Sequence, residues 1–394
     1  MKQTDTANST LLAETGHCVA CGLCLPYCPT YHKTQSEADS PRGRILLTQA
    51  VLQGILPINE RYMAHMDLCL TCRACERACP NHVPYGAIAD HARVMIHKQR
   101  KPTLLQRLAA KVLGSPLLLR LGGYTLRFAQ VLKLNQLIKA LPTASRQYHW
   151  KAAYPVQSAR GDVALFLGCV SNVLDGEALA AAIFVLNRLG YTVHVPAKQT
   201  CCGGLHRQSG DCNGADALDA RNHAAFAAVG DMPLLVLASG CGARLLETMP
   251  EQVQDINAFL LGSAGWENVA LQPLHKKVAV HEPCTLRNVL KAGGVQQALL
   301  QRIPGIKLVT LPGNAQCCGG AGSYMLTQPE MANNLRDDKT AELQACAPDI
   351  MVTANIGCAL HIARGLKEAE VDINVMHPVA LLAQQMGFTG EPSC

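Results

Sequence analysis

Aromatic residues are scarce in this chain of 394 residues, at 4%. Packing must therefore lean on Leu, Val, Ile, Ala and Met, within an apolar fraction of 49%. No run of about 18 uncharged apolar residues occurs, which argues against a membrane-spanning helix. The opening residues, MKQTDTANSTLLAETGHC, lack the apolar core of a signal peptide. Motifs are missing as well: no GxGxxG opens a helix after a strand, and there is no nucleophile elbow, HExxH or P-loop. The chain thus offers no obvious place to bind a dinucleotide or oxidise an organic substrate. Acidic residues are absent from one long stretch. Between Asp90 and Asp162 there is no Asp or Glu, while six Lys and seven Arg give it +13. The formal charge of the whole chain is +6, so the remainder carries −7 and basicity is a local feature.

Cysteine is abundant, with 19 residues. In tight clusters and without a signal peptide, these point to metal or redox chemistry rather than disulfides. The run TGHCVACGLCLPYCPT holds Cys18, Cys21, Cys24 and Cys28, and MDLCLTCRACERACPN repeats it with Cys69, Cys72, Cys75 and Cys79. Three cysteines spaced by two residues wrap a loop around one cubane. The fourth, turned outward by its proline, serves the other cluster. Cys18, Cys21, Cys24 and Cys79 are therefore assigned to one [4Fe–4S] cluster, and Cys69, Cys72, Cys75 and Cys28 to a second. Zinc is the alternative, but zinc sites rarely use this spacing, ended by proline, twice over. Between the runs, SPRGRILLTQAVLQGILP predicts a helix of about four turns, with Ser40 as N-cap and Pro41 in its first turn. A second helix is predicted after Pro84, through IADHARVMIHKQR.

From residue 161 onward, strand and helix patterns alternate, which predicts parallel strands in an α/β layer structure. The pattern repeats. Cys169 matches Cys284 at an offset of 115 residues, Cys201 and Cys202 match Cys317 and Cys318 at 116, and Cys241 matches Cys358 at 117. In each copy the cysteines follow the ends of predicted strands, the edge where α/β proteins place their sites. Gly203, Gly204, Gly319 and Gly320 would let the backbone approach a bulky group. These eight cysteines could hold iron–sulfur or zinc, or act as redox dithiols. Cys212, Cys346 and Cys394 have no repeat partner and read as small buried residues. His281 and His206 read either as ligands or proton donors, or as side chains that hydrogen-bond the turns holding them.

The acid-free stretch predicts two or three short amphipathic helices, broken at Gly114–Pro116 and Gly122–Gly123, and then a linker. Such helices pack on the rest of the chain or a partner subunit, or lie on an anionic membrane surface through residues 91–160. Its basic residues are interleaved with Leu and lack aromatics for stacking, which argues against nucleic acid. The expected organisation is residues 1–100 as a two-cluster domain, 101–160 as a basic helical linker, 161–265 as the first cysteine-rich module and 266–394 as the second.

Two CysPro-ended runs separated by helix resemble the α-helical ferredoxin domain of succinate dehydrogenase-type and heterodisulfide reductase-type iron–sulfur proteins. ADSPRGRILL, LCLTCRACERACP, HEPCTL and QCCGGAGSY are similar to the glycolate oxidase iron–sulfur subunit family, and the repeats to its CCG domains. The reductase modules end in CxxC, whereas here the equivalent ends are Ala238-Ser-Gly-Cys241 and Asn355-Ile-Gly-Cys358, so a fifth cysteine is missing from both. The resemblance implies an α-helical ferredoxin domain followed by α/β duplicated CCG modules with parallel sheets. It implies an electron-transfer subunit of a glycolate dehydrogenase complex with two [4Fe–4S] clusters, no catalytic residue of its own, and FAD on a partner subunit only. Electrons would pass from that flavin towards a membrane acceptor such as quinone. The chain would be cytoplasmic, or peripheral on the cytoplasmic face of the inner membrane. The alternatives are a subunit of a D-lactate or other 2-hydroxy-acid dehydrogenase, and a heterodisulfide reductase-like thiol/disulfide enzyme.

Overall fold

A computed structural model describes residues 2–100, 108, 111–112, 114–131 and 145–392. The first hundred residues are helical. Helix Pro41–Leu52 starts as expected: Ser40 accepts the Gly43 N–H at 3.0 Å, and Pro41 sits where a missing N–H costs nothing. It is shorter than expected, 12 residues, because the chain leaves the helix before Gly54, whose φ is +73°. Helix Tyr85–Gln99 buries Ile88, Ala92 and Ile96 on one stripe. Part of that stripe meets Tyr62 and Met66 of helix Glu60–Asp67. A further helix, Lys2–Gly16, packs on Pro41–Leu52 and buries Leu11.

In the basic stretch, helix Pro116–Val131 runs through Gly122 and Gly123, so the break predicted there does not occur. A Cβ on Gly123 would lie 3.3 Å from Val173, so the glycine lets this helix approach helix Val170–Leu174 closely. That contact offsets the roughly 1 kcal/mol a helical glycine costs. The remaining helices predicted over residues 101–142 fall largely outside the described residues.

Two sheets follow. Strands β1 (Ala153–Tyr154), β2 (Gly161–Phe166), β3 (Tyr191–His194), β4 (Leu234–Val236) and β5 (Val253–Asp255) take the order β1-β3-β2-β4-β5. Only the β1–β3 pair is antiparallel. Strands β6 (Lys277–His281), β7 (Lys307–Thr310), β8 (Ile350–Thr353) and β9 (Asn374–Met376) form a parallel sheet in the order β7-β6-β8-β9. Without β1 the two sheets have one topology, as the repeat implied. The central strands are buried along most of their length, which is why they read as continuous apolar runs.

The modules meet in a reciprocal way. Helix Gly176–Arg188 of the first packs on Pro378–Gln385 of the second. Ile256–Gly262 of the first packs on Val295–Leu300 of the second. Each contact joins a helix lying between the first two strands of one sheet's parallel set to the last helix of the other module. One hydrophobic core therefore runs from Leu165 and Ile183 through to Val280, Leu300 and Leu382. This pseudo-twofold arrangement brings the cysteine-bearing ends of β4 and β8 together, where Ser239 N donates to Ala354 O at 3.0 Å.

Candidate iron–sulfur and thiol sites

The two CysPro runs fold alike. Ala20 and Gly22 in the first and Thr71 and Arg73 in the second, at matched positions, have φ of +54°, +85°, +52° and +55°. Left-handed backbone at a non-glycine residue costs about 1–3 kcal/mol and persists where surroundings impose it. Here it winds each loop around its own thiols. A solvent-open cavity with about 460 Å³ of empty space is lined by Cys18, Cys21, Cys24 and Cys79, together with Cys75. A second, of about 290 Å³, is lined by Cys28, Cys69, Cys72 and Cys75. The fourth cysteine of each run thus faces the thiols of the other run. Cys21 is exposed, whereas Cys28, Cys69, Cys72 and Cys75 are buried.

Within the buried set, charge favours the thiolate at Cys69, whereas burial pushes the Cys72 and Cys75 thiols up. Burial works against the Cys69 thiolate, but Arg44, Arg93, the Tyr85 hydroxyl and the Thr71 N–H together hold its pKa below the ordinary thiol value. Tyr85 donates to Cys69 Sγ at 3.3 Å and Thr71 N at 3.4 Å. Arg44 is 1% exposed and donates to His65 O at 2.7 Å and Thr30 Oγ1 at 3.0 Å. Its Nη2 has no hydrogen-bond partner and lies 3.6 Å from Asp39. Arg93 donates to Cys69 O and Thr71 Oγ1, both at 2.6 Å. Two guanidiniums, both nearly buried, beside four thiols suit a site that carries net negative charge, as thiolate-held iron does. Neither arginine was legible as a site residue. In the sequence they belong to ordinary helical stripes.

In the first cysteine-rich module, Cys169, Cys201 and Cys202 are buried with Phe166 and Phe226, and Cys241 packs beside them. Cys169 Sγ donates to Cys201 Sγ at 3.3 Å. The Cys169 and Cys202 thiols, both directed at Cys201, hold its pKa well below the ordinary value, and their own are raised. In the second module Cys284 Sγ lies 3.9 Å from Cys317 Sγ. His281, Cys318 and Cys358 form a buried group there. Burial lowers the His281 pKa to about 3, so the imidazole is neutral. Gly203 and Gly319 have φ of +76° and +82°, and a Cβ on Gly319 would lie 2.4 Å from Ala332 O. A Cβ on Gly320 would lie 2.9 Å from Gly357 O. Gly319 and Gly320 thus admit neighbouring backbone, and a Cβ on Gly204 would lie 3.4 Å from Cys202 Sγ.

The structure joins the second run to the second module. Cys72 and Cys317 share one apolar cluster with Leu70 and Tyr324, and Cys284 packs against it. Asn288 donates to Cys72 O at 2.7 Å, and Tyr324 to Leu68 O at 2.9 Å. The first module is held by Arg73–Glu247 at 2.6 Å and by the approach of Gly210 to Arg93 O. His206 pairs with Asp211 at 2.7 Å and secures its turn. Cys212 and Cys346 are half-buried, more open than expected. Cys212 accepts from Arg207 at 3.5 Å. Cys394 lies outside the described residues.

Residues 14–83 match the family described as "4Fe-4S dicluster domain", and residues 163–245 and 278–363 match "Cysteine-rich domain". The chain is 33% identical over 370 residues to the glycolate oxidase iron–sulfur subunit of Escherichia coli, covering 88% of this chain and 89% of that protein. It is 29% identical to the probable glycolate oxidase iron–sulfur subunit of Bacillus subtilis, over 95% of this chain and 94% of that one. Lactate utilization protein A of Bacillus velezensis is 27% identical over 56% of this chain and 98% of its own length. A hypothetical protein from Helicobacter pylori has a similar fold, with a TM-score of 0.55 at 11% identity over 90% of this chain and 69% of its own.

Proposed function

From the premise that this chain belongs to the glycolate oxidase iron–sulfur subunit family, we propose that it carries electrons for a glycolate dehydrogenase. In this reading a partner subunit holds FAD and converts glycolate to glyoxylate. Cys18, Cys21, Cys24 and Cys79 hold one [4Fe–4S] cluster, and Cys69, Cys72, Cys75 and Cys28 the other. Such a group, when bound, supplies a one-electron couple that divides the electron pair delivered by a flavin. The observation that carries the reading is the succession of thiol sets from surface to interior. The first lines an open cavity, with Cys21, Val19 and Leu23 exposed to a docking partner. The second is buried, and its Cys72 packs with Cys317 of the second module. Residues of this chain keep water from the inner set through Leu70, Tyr85 and Tyr324 and balance its charge through Arg44 and Arg93.

Anaerobic co-purification with a flavoprotein tests this reading, followed by dye reduction with glycolate and with D-lactate. Reduction by glycolate supports it. Reduction by D-lactate alone moves the chain to a lactate dehydrogenase. Thiol-dependent turnover without a flavoprotein would favour the disulfide chemistry of the related reductases.

A second observation bears on the acceptor. Helix Pro116–Val131 packs through Leu119 and Gly123 on the first module, yet Leu117, Leu121, Tyr124, Phe128 and Val131 are 53–78% exposed. Their spacing places all five on one face, within the acid-free basic stretch. A stripe of this kind suits an anionic lipid surface. It would keep the chain at the membrane, near a quinone acceptor. No helix among the described residues is long and apolar enough to cross one.

A further inference from the structure

Helix Pro41–Leu52 supplies one arginine to each thiol-lined cavity of the first hundred residues. Arg42 lines the outer, open cavity and Arg44 the inner one. The two guanidiniums are held differently. Arg42 Nε and Nη2 donate to the two carboxylate oxygens of Glu37 at 2.6 and 3.2 Å, and Nη1 donates to Ala20 O at 2.9 Å. Each of its donor nitrogens is engaged, and its charge is compensated. Arg44 donates only to neutral oxygens, those of His65 and Thr30. Its Nη2 has no hydrogen-bond partner, although the residue is 1% exposed. Asp39 lies beyond hydrogen-bond reach of Nη2, at 3.6 Å, and is itself paired with His65 at 2.8 Å. Arg73 also lines the inner cavity, but it is bound to Glu247 at 2.6 Å.

A buried donor left unpaired costs stability, so its persistence in a packed helix calls for an acceptor. The inner cavity is lined by sulfur acceptors, those of Cys28, Cys69, Cys72 and Cys75. Polar groups already converge on two of them. Tyr85 donates to Cys69 Sγ at 3.3 Å, and Thr30 Oγ1, which receives Arg44 Nη1, lies 3.3 Å from Cys28 Sγ. Donors to sulfur and nearby positive charge raise the reduction potential of an iron–sulfur centre, because reduction adds one negative charge. Burial acts the other way, since a dry interior disfavours the more charged state. All four cysteines of the inner set are buried, whereas Cys21 of the outer set is exposed. Burial alone would therefore put the inner centre below the outer one.

We propose that Arg44 reverses this order: its free Nη2–H donates to the sulfur-held centre of the inner cavity and keeps the reduction potential there above that of the outer one. The inference rests on the reading that the eight cysteines hold two [4Fe–4S] clusters. One electron then passes from the outer cluster, which is oxidised, to the inner one, which is reduced. No bond forms or breaks and no proton moves, because the guanidinium stays charged throughout. Arg42, clamped by Glu37, has no part in setting the order.

The test uses the full chain, purified anaerobically with its iron. Iron is counted, and electron paramagnetic resonance follows both clusters through a redox titration. The signal missing from Cys28→Ala identifies the inner cluster. In the wild type that cluster should be reduced first, at the higher potential. Arg44→Gln should keep the iron of the wild type and weaken inner-cluster reduction roughly 10–100-fold, about 60–120 mV at about 59 mV per tenfold, so that the order inverts. Arg44→Lys, which keeps the charge, should restore most of the shift. Arg42→Gln should leave the inner potential in place. The proposal is overturned by a wild-type inner cluster that is reduced second, by an inner potential that Arg44→Gln does not lower, by Arg44→Lys behaving as Arg44→Gln does, or by an equal shift in Arg42→Gln. Should Arg44→Gln lose its inner iron, Asp39→Asn decides. Removing the carboxylate near Nη2 should raise the inner potential, and a potential unchanged or lowered overturns the proposal. Unshifted potentials with both signals present leave the cluster assignment standing. A wild type that lacks one signal overturns that assignment, and this inference with it.

Discussion

Asp255 closes β5 and caps helix Ile256–Gly262, one of the helices that joins the two modules. Its Oδ1 accepts the N–H groups of Asn257 at 2.9 Å and Ala258 at 3.2 Å, while its buried Oδ2 has no partner. Burial raises the carboxyl from 3.8 to about 6, and those hydrogen bonds offset only part of the rise. Below pH 4 the folded and unfolded states are both protonated, and the group is neutral to stability. Between about pH 4 and 6 the unfolded chain gives up its proton first, so stability falls as pH rises. Above pH 6 the penalty is complete. At 1.36 kcal/mol for each pH unit it reaches about 3 kcal/mol at most. Asp255→Asn keeps the capping acceptor and removes the charge. The variant should match the wild type near pH 4 and exceed it by up to about 3 kcal/mol at pH 7.5. That corresponds to roughly 6–12 °C in Tm for a unit of about 200 residues. Thermal unfolding of both proteins by circular dichroism, from pH 4 to 8, reads the difference. Other buried groups, such as Asp175 and His377, titrate alike in both proteins and cancel. A gap that stays constant with pH, or that shrinks as pH rises, would refute the reasoning.

The crossed cluster assignment predicts that Cys28→Ala and Cys79→Ala each remove about four of eight irons. The iron left in Cys28→Ala should be stripped quickly by a chelator, because it sits in the open cavity, and that left in Cys79→Ala slowly. The reverse order would mean that each run serves itself. Gly319→Ala should destabilise the second module by at least about 2 kcal/mol, combining left-handed backbone with a clash against Ala332 O. A wild-type melting profile would show that the turn relaxes freely. Leu121→Asp with Phe128→Asp removes two large apolar contacts, about 3 kcal/mol, and should weaken binding to anionic vesicles roughly 100-fold. Unchanged binding would take the stripe off the membrane.

Much of the architecture was legible because its signals are local. Ser40 followed by Pro41 announces a helix, and the unbroken apolar runs of β2 and β6 announce central parallel strands. The repeat was legible because cysteine spacing survives where other residues drift. Short edge strands were not. β5 and β9 have three residues each, and β1 has two, within what read as linker. Such strands owe their state to a neighbour's open edge more than to their own pattern. The run TLRNVLKAGGVQQALLQRI carries apolar residues at helical spacing, yet Lys291 at φ +53° and Gly294 at +80° split it into Cys284–Asn288 and Val295–Leu300. At the sites, the eight ferredoxin-type cysteines declare themselves by spacing. Arg44 and Arg93 do not, because an arginine looks alike in sequence whether it faces water or a buried thiolate. His281 was visible as an option.

The central claim is that this chain takes electrons from a flavin partner through its cysteine-held clusters. The most direct measurement mixes the anaerobic complex with glycolate and records the electron paramagnetic resonance spectrum of frozen samples. The account predicts that signals of reduced [4Fe–4S] clusters appear with glycolate, and that Cys28→Ala loses one of the two. Reduced flavin beside clusters that stay oxidised, yet remain reducible by dithionite, would contradict it.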